Sequence, residues 1–385
     1  MDNGILFGIY LFALSSLISK AGTSIGIGIA CLLWLIRIFI TTDYNFTTTK
    51  LDRPILFFLS GLLISGLDVF SIKFLDSVEK IILVILFYYV IVNTIEKLKN
   101  IKYIIYIMTI SMIISLSNGI YQIVYTNLDR IKGFSFPLAY GGFLAILLIY
   151  TTAYLVFGNN KWYLKLFLLS ISIVEMINLL FTKSRGAWFA FLGGGLSLFW
   201  LKDKKWLIGF LLLIILLGIV LPPEFIDRFK SSFELEDNRS NEARIKQWKA
   251  SLLMYKDHFI NGVGIGYFTE EFRENYNYLK PDNRKHAHNN FLHFLATTGT
   301  VGFIAFCYLI WSIVKFLYNH HLQLRGDWGL FLLASLAAVI AFNIQGLTEF
   351  NFGDTETLRF FWFIVALNVV IVNNLIEKGG KLDED

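Results

Sequence analysis

The 385 residues are 56% hydrophobic, 17% aromatic and 16% charged, where an ordinary soluble domain is about a quarter charged. That much apolar surface excludes a water-soluble enzyme. With Phe at 37 positions and Pro at only 5, the apolar runs can continue as long helices whose backbone groups are satisfied internally, as lipid requires. The net charge of +5 matters less than its distribution along a membrane chain, and no nucleic-acid partner is expected.

A spanning helix needs roughly 20 apolar residues. By that measure spans are predicted near 4–19, 21–41, 53–71, 77–95, 101–125, 137–157, 162–182, 185–201, 205–221, 289–317, 328–348 and 357–376. The first run opens at Gly4 with no basic region before it and no small-residue cleavage site after it, so it reads as a span and not as a cleaved leader. Cys31 and Cys307 sit inside apolar runs as small hydrophobes, which gives a disulfide no support. With the N-terminus inside, short cytoplasmic connections carry fifteen Lys and Arg and the opposite ones eight, which places both termini in the cytoplasm. Lys378 and Lys381 are among the fifteen.

The expected architecture is therefore all-α: a polytopic membrane helical bundle of about twelve transmembrane helices, with one large extracytoplasmic loop. It divides into nine spans over 1–221, the loop over 222–288, and three spans with a charged cytoplasmic tail over 289–385. The loop balances eleven Lys and Arg against eleven Asp and Glu, so anion binding there needs placed residues and not a general field. Within it Arg244, Ile245, Trp248, Leu252 and Tyr255 recur at near-helical spacing after the cap candidates Ser240 and Asn241. An amphipathic helix along the membrane surface is the expectation.

Three polar clusters interrupt the apolar pattern. Phe181-Thr182-Lys183-Ser184-Arg185-Gly186-Ala187-Trp188 puts two cations and two hydroxyls between spans. Arg185 begins a helix, Gly186 permits close approach, and a planar guanidinium suits phosphate, although snorkelling explains many such arginines. Arg244 and Trp248 lie one turn apart, where a basic helix face touching anionic headgroups is the alternative. His286-Ala287-His288-Asn289-Asn290 enters the tenth span, which continues through His293, Gly299 and Gly302. Imidazoles there can act as base, phosphate donor or metal ligand. His286 and His288, joined by Asp257 or His258, are the available metal set, but without His-Glu-x-x-His or a Cys ligand no metal and no cofactor is expected. Gly262-Val263-Gly264-Ile265-Gly266 lacks nucleotide-binding spacing and reads as a tight loop. Glu175 and Asn178 share the helix face leading to Arg185, as a functional group or an interior hydrogen-bonded pair.

In order and spacing these clusters resemble the O-antigen ligase family, which shares its pattern with the Wzy-type polymerases. The resemblance rests on Ser184-Arg185-Gly186, Arg244 with Trp248, Asp257 before Gly262-Val263-Gly264, His288-Asn289 and Gly299. It extends to Gly346-Leu347-Thr348-Glu349-Phe350-Asn351-Phe352-Gly353-Asp354, and upstream to Arg130-Ile131-Lys132-Gly133. The pattern's next position falls on Phe303, with Gly302 one residue early.

The resemblance implies a glycosyltransferase in the inner membrane with its site facing the periplasm. It would move a glycan from undecaprenyl diphosphate to a lipid A core hydroxyl or, in a polymerase, to a second carrier-linked glycan. It assigns Arg185 and Arg244 to the diphosphate and His288 to proton transfer, with His286, Asn289, Lys183, Trp248, Arg130 and Glu175 in support. A lipid-linked sugar transporter or flippase is the reading from another class; it predicts paired charges near the midplane and inverted repeats, and the sequence has neither.

Overall fold

A computed structural model describes residues 1–42, 46–234, 239–276 and 286–377; Lys378 and the Lys381–Asp385 tail lie outside that range. The described residues form helices and no strand. In chain order they are α1 (Asp2–Ser15), α2 (Lys20–Thr41), α3 (Asp52–Ile64), α4 (Ile72–Thr94), α5 (Leu98–Tyr125), α6 (Pro137–Phe157), α7 (Trp162–Phe181) and α8 (Arg185–Lys202). They continue as α9 (Lys204–Val220), α10 (Pro223–Lys230), α11 (Arg239–Asp257), α12 (Phe268–Asn275), α13 (Asn290–His321), α14 (Gly326–Gln345) and α15 (Thr355–Val372), with a π turn at Asn373–Glu377.

Every predicted span contains a helix, but among the described residues seven are long and apolar enough to cross a membrane: α2, α5, α6, α7, α13, α14 and α15 with its π turn, or eight if the bent pair α9 and α10 is one span. The shortfall has physical causes. The 14 residues of α1 and 13 of α3 rise only about 20 Å at 1.5 Å per residue. Hydrophobic residues after Ile64 continue as turns instead of extending α3 to 71. Lys73, Asp76, Glu79 and Lys80 charge the first turns of α4. Three consecutive glycines dilute α8, and α9 turns by 115° into α10.

Successive connections alternate between two ends of the bundle. At one end Arg37 Nη1 reaches Asp2 at 2.8 Å, Asn93 accepts from the Thr47 amide at 2.7 Å, and the Tyr154 hydroxyl donates to the Asp327 carbonyl at 2.9 Å. At the other, Lys183 meets Asp129 at 2.8 Å, the Ile131 amide donates to the Phe181 carbonyl, and Lys73 pairs with Glu270. The described residues of the segment 222–288 belong to this second end. The core is centred on α15, apolar around its whole circumference and buried along its length, with Trp362, Phe360 and Phe363 near zero exposure. Such a helix has no face left for solvent or lipid.

Two close approaches fix the site. On α8, a Cβ at Gly194 would lie 2.9 Å from the Ala341 Cβ and 3.0 Å from the Ala337 carbonyl of α14, and one at Gly186 would lie 2.4 Å from the Thr348 hydroxyl. Small residues thus bring the two backbones together, as in membrane bundles generally. The expected approach at Gly186 is present, and it sets Arg185 beside the end of α14.

The second approach breaks α13. Gly299 adopts φ 60 and ψ −163, so the helix ladder is interrupted there. The loop after α11 supplies the missing partners: the Val263 and Gly264 amides donate to the Ala296 and Thr297 carbonyls at 3.0 Å, while the Thr300 amide donates to the Phe259 carbonyl at 2.9 Å. The glycine run is a loop, as expected, and Gly262, Gly264 and Gly266 all take positive φ. Its role is backbone-to-backbone docking. Gly262→Ala is expected to lower thermal stability by a few degrees or more, because φ 72 is unfavourable for Ala by about 1–2 kcal/mol and its Cβ would fall 2.4–2.5 Å from the backbone of 297–299. Melting in detergent measures it; an unchanged Tm refutes the docking.

The segment over 222–288 contains α10, α11 and α12. Helix α11 corrects two expectations. It starts at Arg239, so Ser240 and Asn241 fall inside its first turn and are not caps. Its buried face is Ala243, Gln247, Ala250, Ser251 and Met254, packed on α13, while Ile245 and Leu252 are exposed. Small side chains let α11 sit close to α13, and that packing outweighs the apolar spacing read from the sequence.

Candidate active site

At the second end, a cavity of about 220 Å³ is enclosed by the N-terminus of α8, the loop before α6, α10, α11, the entry to α13 and the turn after α14. Among the described residues, Arg130, Lys183, Arg185, Arg228 and Arg244 contribute five cationic side chains to its lining, with His288, and Glu349 contributes a carboxylate. Like charges held this close in a partly dry space favour an anion. Burial, and next the charge of Arg228, pull the Arg130 guanidinium below its ordinary value.

Each cation is positioned by local chemistry. Lys183 occupies a tight turn at φ 50, is held by Asp129 and Glu224, and leaves Arg185 to open α8. The Arg185 guanidinium donates through Nη1 to the Ser231 carbonyl at 2.6 Å and through Nη2 to Asn241 Oδ1 at 2.7 Å. Asn241 passes the link on, donating to the Ser231 and Glu234 carbonyls at 2.9 and 2.7 Å. Arg185 therefore lines the cavity and also ties α8 to α11. Arg130 Nε donates to the Thr182 carbonyl at 2.9 Å. Its loop is pinned by Gln122, which donates to the Gly133 carbonyl at 2.8 Å and accepts from the Lys132 amide at 2.9 Å. Arg228 stands on α10, whose Phe225 and Phe229 pack against α8.

The His-Asn-Asn triplet divides its labour. Asn289 caps α13, accepting from the Leu292 amide at 3.0 Å and donating to the Leu347 carbonyl at 3.0 Å. Asn290 donates from its side chain to Asn351 at 2.5 Å and from its amide to the Gly346 carbonyl at 2.7 Å. These bonds clasp the turn after α14, and His288, left-handed at φ 49, meets Glu349 at 2.9 Å through Nδ1. A carboxylate can only accept, so Nδ1 carries the hydrogen, and in the neutral form of the ring Nε2 is then the nitrogen with the lone pair. Burial raises the Glu349 pKa, but the His288 hydrogen bond and the charges of His288, His286 and Arg244 outweigh that and hold the carboxyl below the usual range. Among the described residues, Arg130 Nη2, Ser184 Oγ and Glu349 Oε2 of the lining are buried with no hydrogen-bond partner, and such atoms are available to a ligand or to water.

Of the residues expected from sequence, Arg185, Arg244, His288, Lys183 and Arg130 meet in this cavity. His286 stands just behind, its ring 4.1 Å from that of His288 and its Nδ1 accepting the His288 amide at 3.3 Å. Asn289 supports as a cap. Trp248 is half-buried on α11 and does not line the cavity. Neither does Glu175, fully buried in α7 and accepting from Thr151 at 2.6 Å, while Asn178 accepts from Tyr140; theirs is the interior hydrogen-bonding role. His293 is buried between Phe268 and Phe350.

The metal set differs as well. Asp257 bonds Tyr276 and His258 faces Glu271; the donors that come within 4.8 Å of one another are on His286, His288 and Glu349. Two imidazoles and a carboxylate could ligate zinc, at the cost of the His288–Glu349 bond.

Sequence reasoning missed Arg228, Ser240, Gln345 and Thr348 as lining residues, and Glu349 as the partner of His288. Arg228 carried a signal, since Phe225 and Phe229 flank it at one-turn spacing. Glu349 lay within the quoted closing segment, but its partner is 61 residues away in the chain.

The ion pair makes a pH prediction. A carboxyl whose folded pKa is lowered contributes stability that is present above its ordinary value of 4.5 and is lost as pH falls through the folded value. Wild type should therefore melt above Glu349→Gln near neutrality, with the gap closing below pH 4.5. A gap constant down to pH 3 refutes the pairing.

A search of curated proteins finds no match. Residues 168–307 match the family model described as O-Antigen ligase, a stretch that holds Arg185, Arg244 and His288 together with Gly262 and Gly299.

Proposed function

We propose that the chain is an O-antigen ligase: a glycosyltransferase of the inner membrane, acting on its periplasmic side, that moves a glycan from undecaprenyl diphosphate to a hydroxyl of the lipid A core. The observation that carries this reading is five cations around one cavity with a histidine whose Nδ1 is occupied by a carboxylate. The Arg185 and Arg244 side chains, with Arg130, Lys183 and Arg228 around them, hold the diphosphate. Nε2 of His288 takes the proton of the acceptor hydroxyl, and its oxygen attacks the anomeric carbon. The bond from that carbon to the diphosphate breaks, and its electron pair leaves on the carrier, where the guanidinium groups stabilise the developing charge. Glu349 keeps the imidazole in the required tautomer and offsets the imidazolium that forms. The clustering of these groups at one end, away from the bundle's middle, also fits transfer better than transport.

The test is a transfer assay with purified protein, a lipid-diphosphate-linked glycan as donor, and either lipid A core or a second lipid-linked glycan as acceptor. Glycan on lipid A core is expected. Chain growth on the second carrier instead identifies a polymerase, and no transfer to either overturns the transferase reading. Turnover is expected to survive excess chelator; a loss restored by zinc would assign His286, His288 and Glu349 to a metal.

A further inference from the structure

We infer, on the diphosphate donor proposed above, that the open end of α8 is its phosphate cradle: the Ser184 hydroxyl and the amides of Arg185 and Gly186 hold one phosphate of the donor. All three residues line the cationic cavity. A serine at a helix N-cap ordinarily turns its oxygen back to accept from an amide of the first turn. Ser184 stands at that position, extended at φ −90 and ψ 94, and makes no such bond. Its side chain is buried, and among the described residues its Oγ has no hydrogen-bond partner. A buried hydroxyl without a partner destabilises a fold, so the stability of the ligand-free protein does not account for it.

Local structure fills the other places at this end and leaves the donors open. Thr182 Oγ1 accepts from the Ser184 amide at 3.2 Å and donates to the Leu179 carbonyl at 2.7 Å, and Lys183, at φ 50, turns the chain between them. The amides of Ala187 and Trp188 return to the Ser184 carbonyl at 3.0 and 3.1 Å. The first amides of a helix have no intrahelical acceptor, and among the described residues no backbone carbonyl accepts from those of Arg185 and Gly186. Helix α8 runs for 18 residues, so this end also carries the partial positive charge of its aligned peptide dipoles. Arg130 brings a fourth donor: its Nε is fixed on the Thr182 carbonyl at 2.9 Å, two residues before Ser184, and its Nη2 is buried without a partner.

The cations of the cavity attract an anion, but hydroxyl and amide donors fix where its oxygens sit. A phosphate oxygen only accepts, which suits a corner made of donors at a helix N-terminus. Water has two hydrogens of its own to place and suits it less.

The experiment is calorimetric titration of the full chain in detergent with a lipid-diphosphate-linked glycan and, separately, with inorganic pyrophosphate, together with melting. Ser184→Ala should bind both ligands about tenfold or more weakly, the scale of one hydrogen bond to a charged group, while melting at or above wild type. Ser184→Cys, which keeps a side chain of similar shape with a weak donor, should do the same. Ser111→Ala is the control: that hydroxyl is also buried and unpartnered, in α5 and outside the cavity, and its loss should leave both affinities unchanged. A wild type that binds neither ligand overturns the diphosphate donor and the cradle with it. A wild type that binds both while Ser184→Ala binds them equally well overturns the cradle alone and leaves the diphosphate to the cations. A variant that melts early and loses affinity only in proportion to folded protein makes Ser184 structural, and one that weakens the donor but not pyrophosphate moves the hydroxyl to the sugar; either overturns the assignment.

Discussion

His288→Ala is expected to slow glycan transfer by a factor on the order of 10²–10⁴, the usual contribution of a positioned general base, with donor binding near that of wild type. The separation follows from the geometry. The cations that would hold the diphosphate stand on α8, α10, α11 and the loop before α6, whereas His288 enters from the other side, at the start of α13, with its Nδ1 on Glu349. Removing the imidazole leaves those guanidinium contacts in place. His286→Ala should cost less, since His286 stands behind His288, against its ring and amide, and 4.0 Å from Glu349. His293→Ala serves as the packing control: it should lower stability through the lost contact with Phe350 at 3.7 Å between centroids and change transfer only in proportion to folded protein. Transfer rate, donor affinity and melting measured together on each variant decide the matter. Full turnover in His288→Ala removes the base, and a variant that fails in donor binding alone moves His288 into the phosphate site.

What the sequence made legible follows from where the chemistry is local. Apolar runs find helices wherever lipid or core is the solvent, so every predicted span contains one. They do not find where a helix stops when side chains stay apolar past its end, as beyond Ile64, or where a backbone break is completed from a distant loop, as at Gly299. The site was legible to the extent that its members cluster in the chain: Lys183 with Arg185, and His286 with His288 and Asn289. Arg228 and Glu349 enter through tertiary contact alone, one from a short amphipathic helix and the other from a turn clasped by Asn290. The family resemblance quoted Gly262 and Gly299 separately. The structure joins them, because Gly262 makes room for the backbone of 297–299 and Gly299 for that of Ile260 and Asn261.

Arg244→Lys and Arg185→Lys are expected to impair transfer by different routes, and the difference tests which guanidinium belongs to the substrate. Lysine keeps the charge but loses the planar fork that grips two phosphate oxygens at once, and each charged hydrogen bond lost is worth about 1.5–3 kcal/mol. For Arg244, which lines the cavity from α11, the loss should fall on donor affinity and turnover. Arg185 has a second task, since its Nη1 and Nη2 bridge Ser231 and Asn241 across 46 and 56 residues of chain. Lysine lacks the rigid fork that spans these two acceptors, so Arg185→Lys should lower the melting temperature as well as transfer. Asn241→Ala isolates the structural share: it removes the acceptor of Arg185 Nη2 and the donor to the Ser231 and Glu234 carbonyls without touching a cation. If Asn241→Ala reproduces the full Arg185→Lys defect in transfer, Arg185 acts by holding α11 in place and the diphosphate contact passes to Arg244 and its neighbours. If Asn241→Ala melts early yet transfers well at low temperature while Arg185→Lys does not, the remaining Arg185 donors serve the substrate directly. Full turnover in both lysine variants would remove the bidentate role from the mechanism altogether.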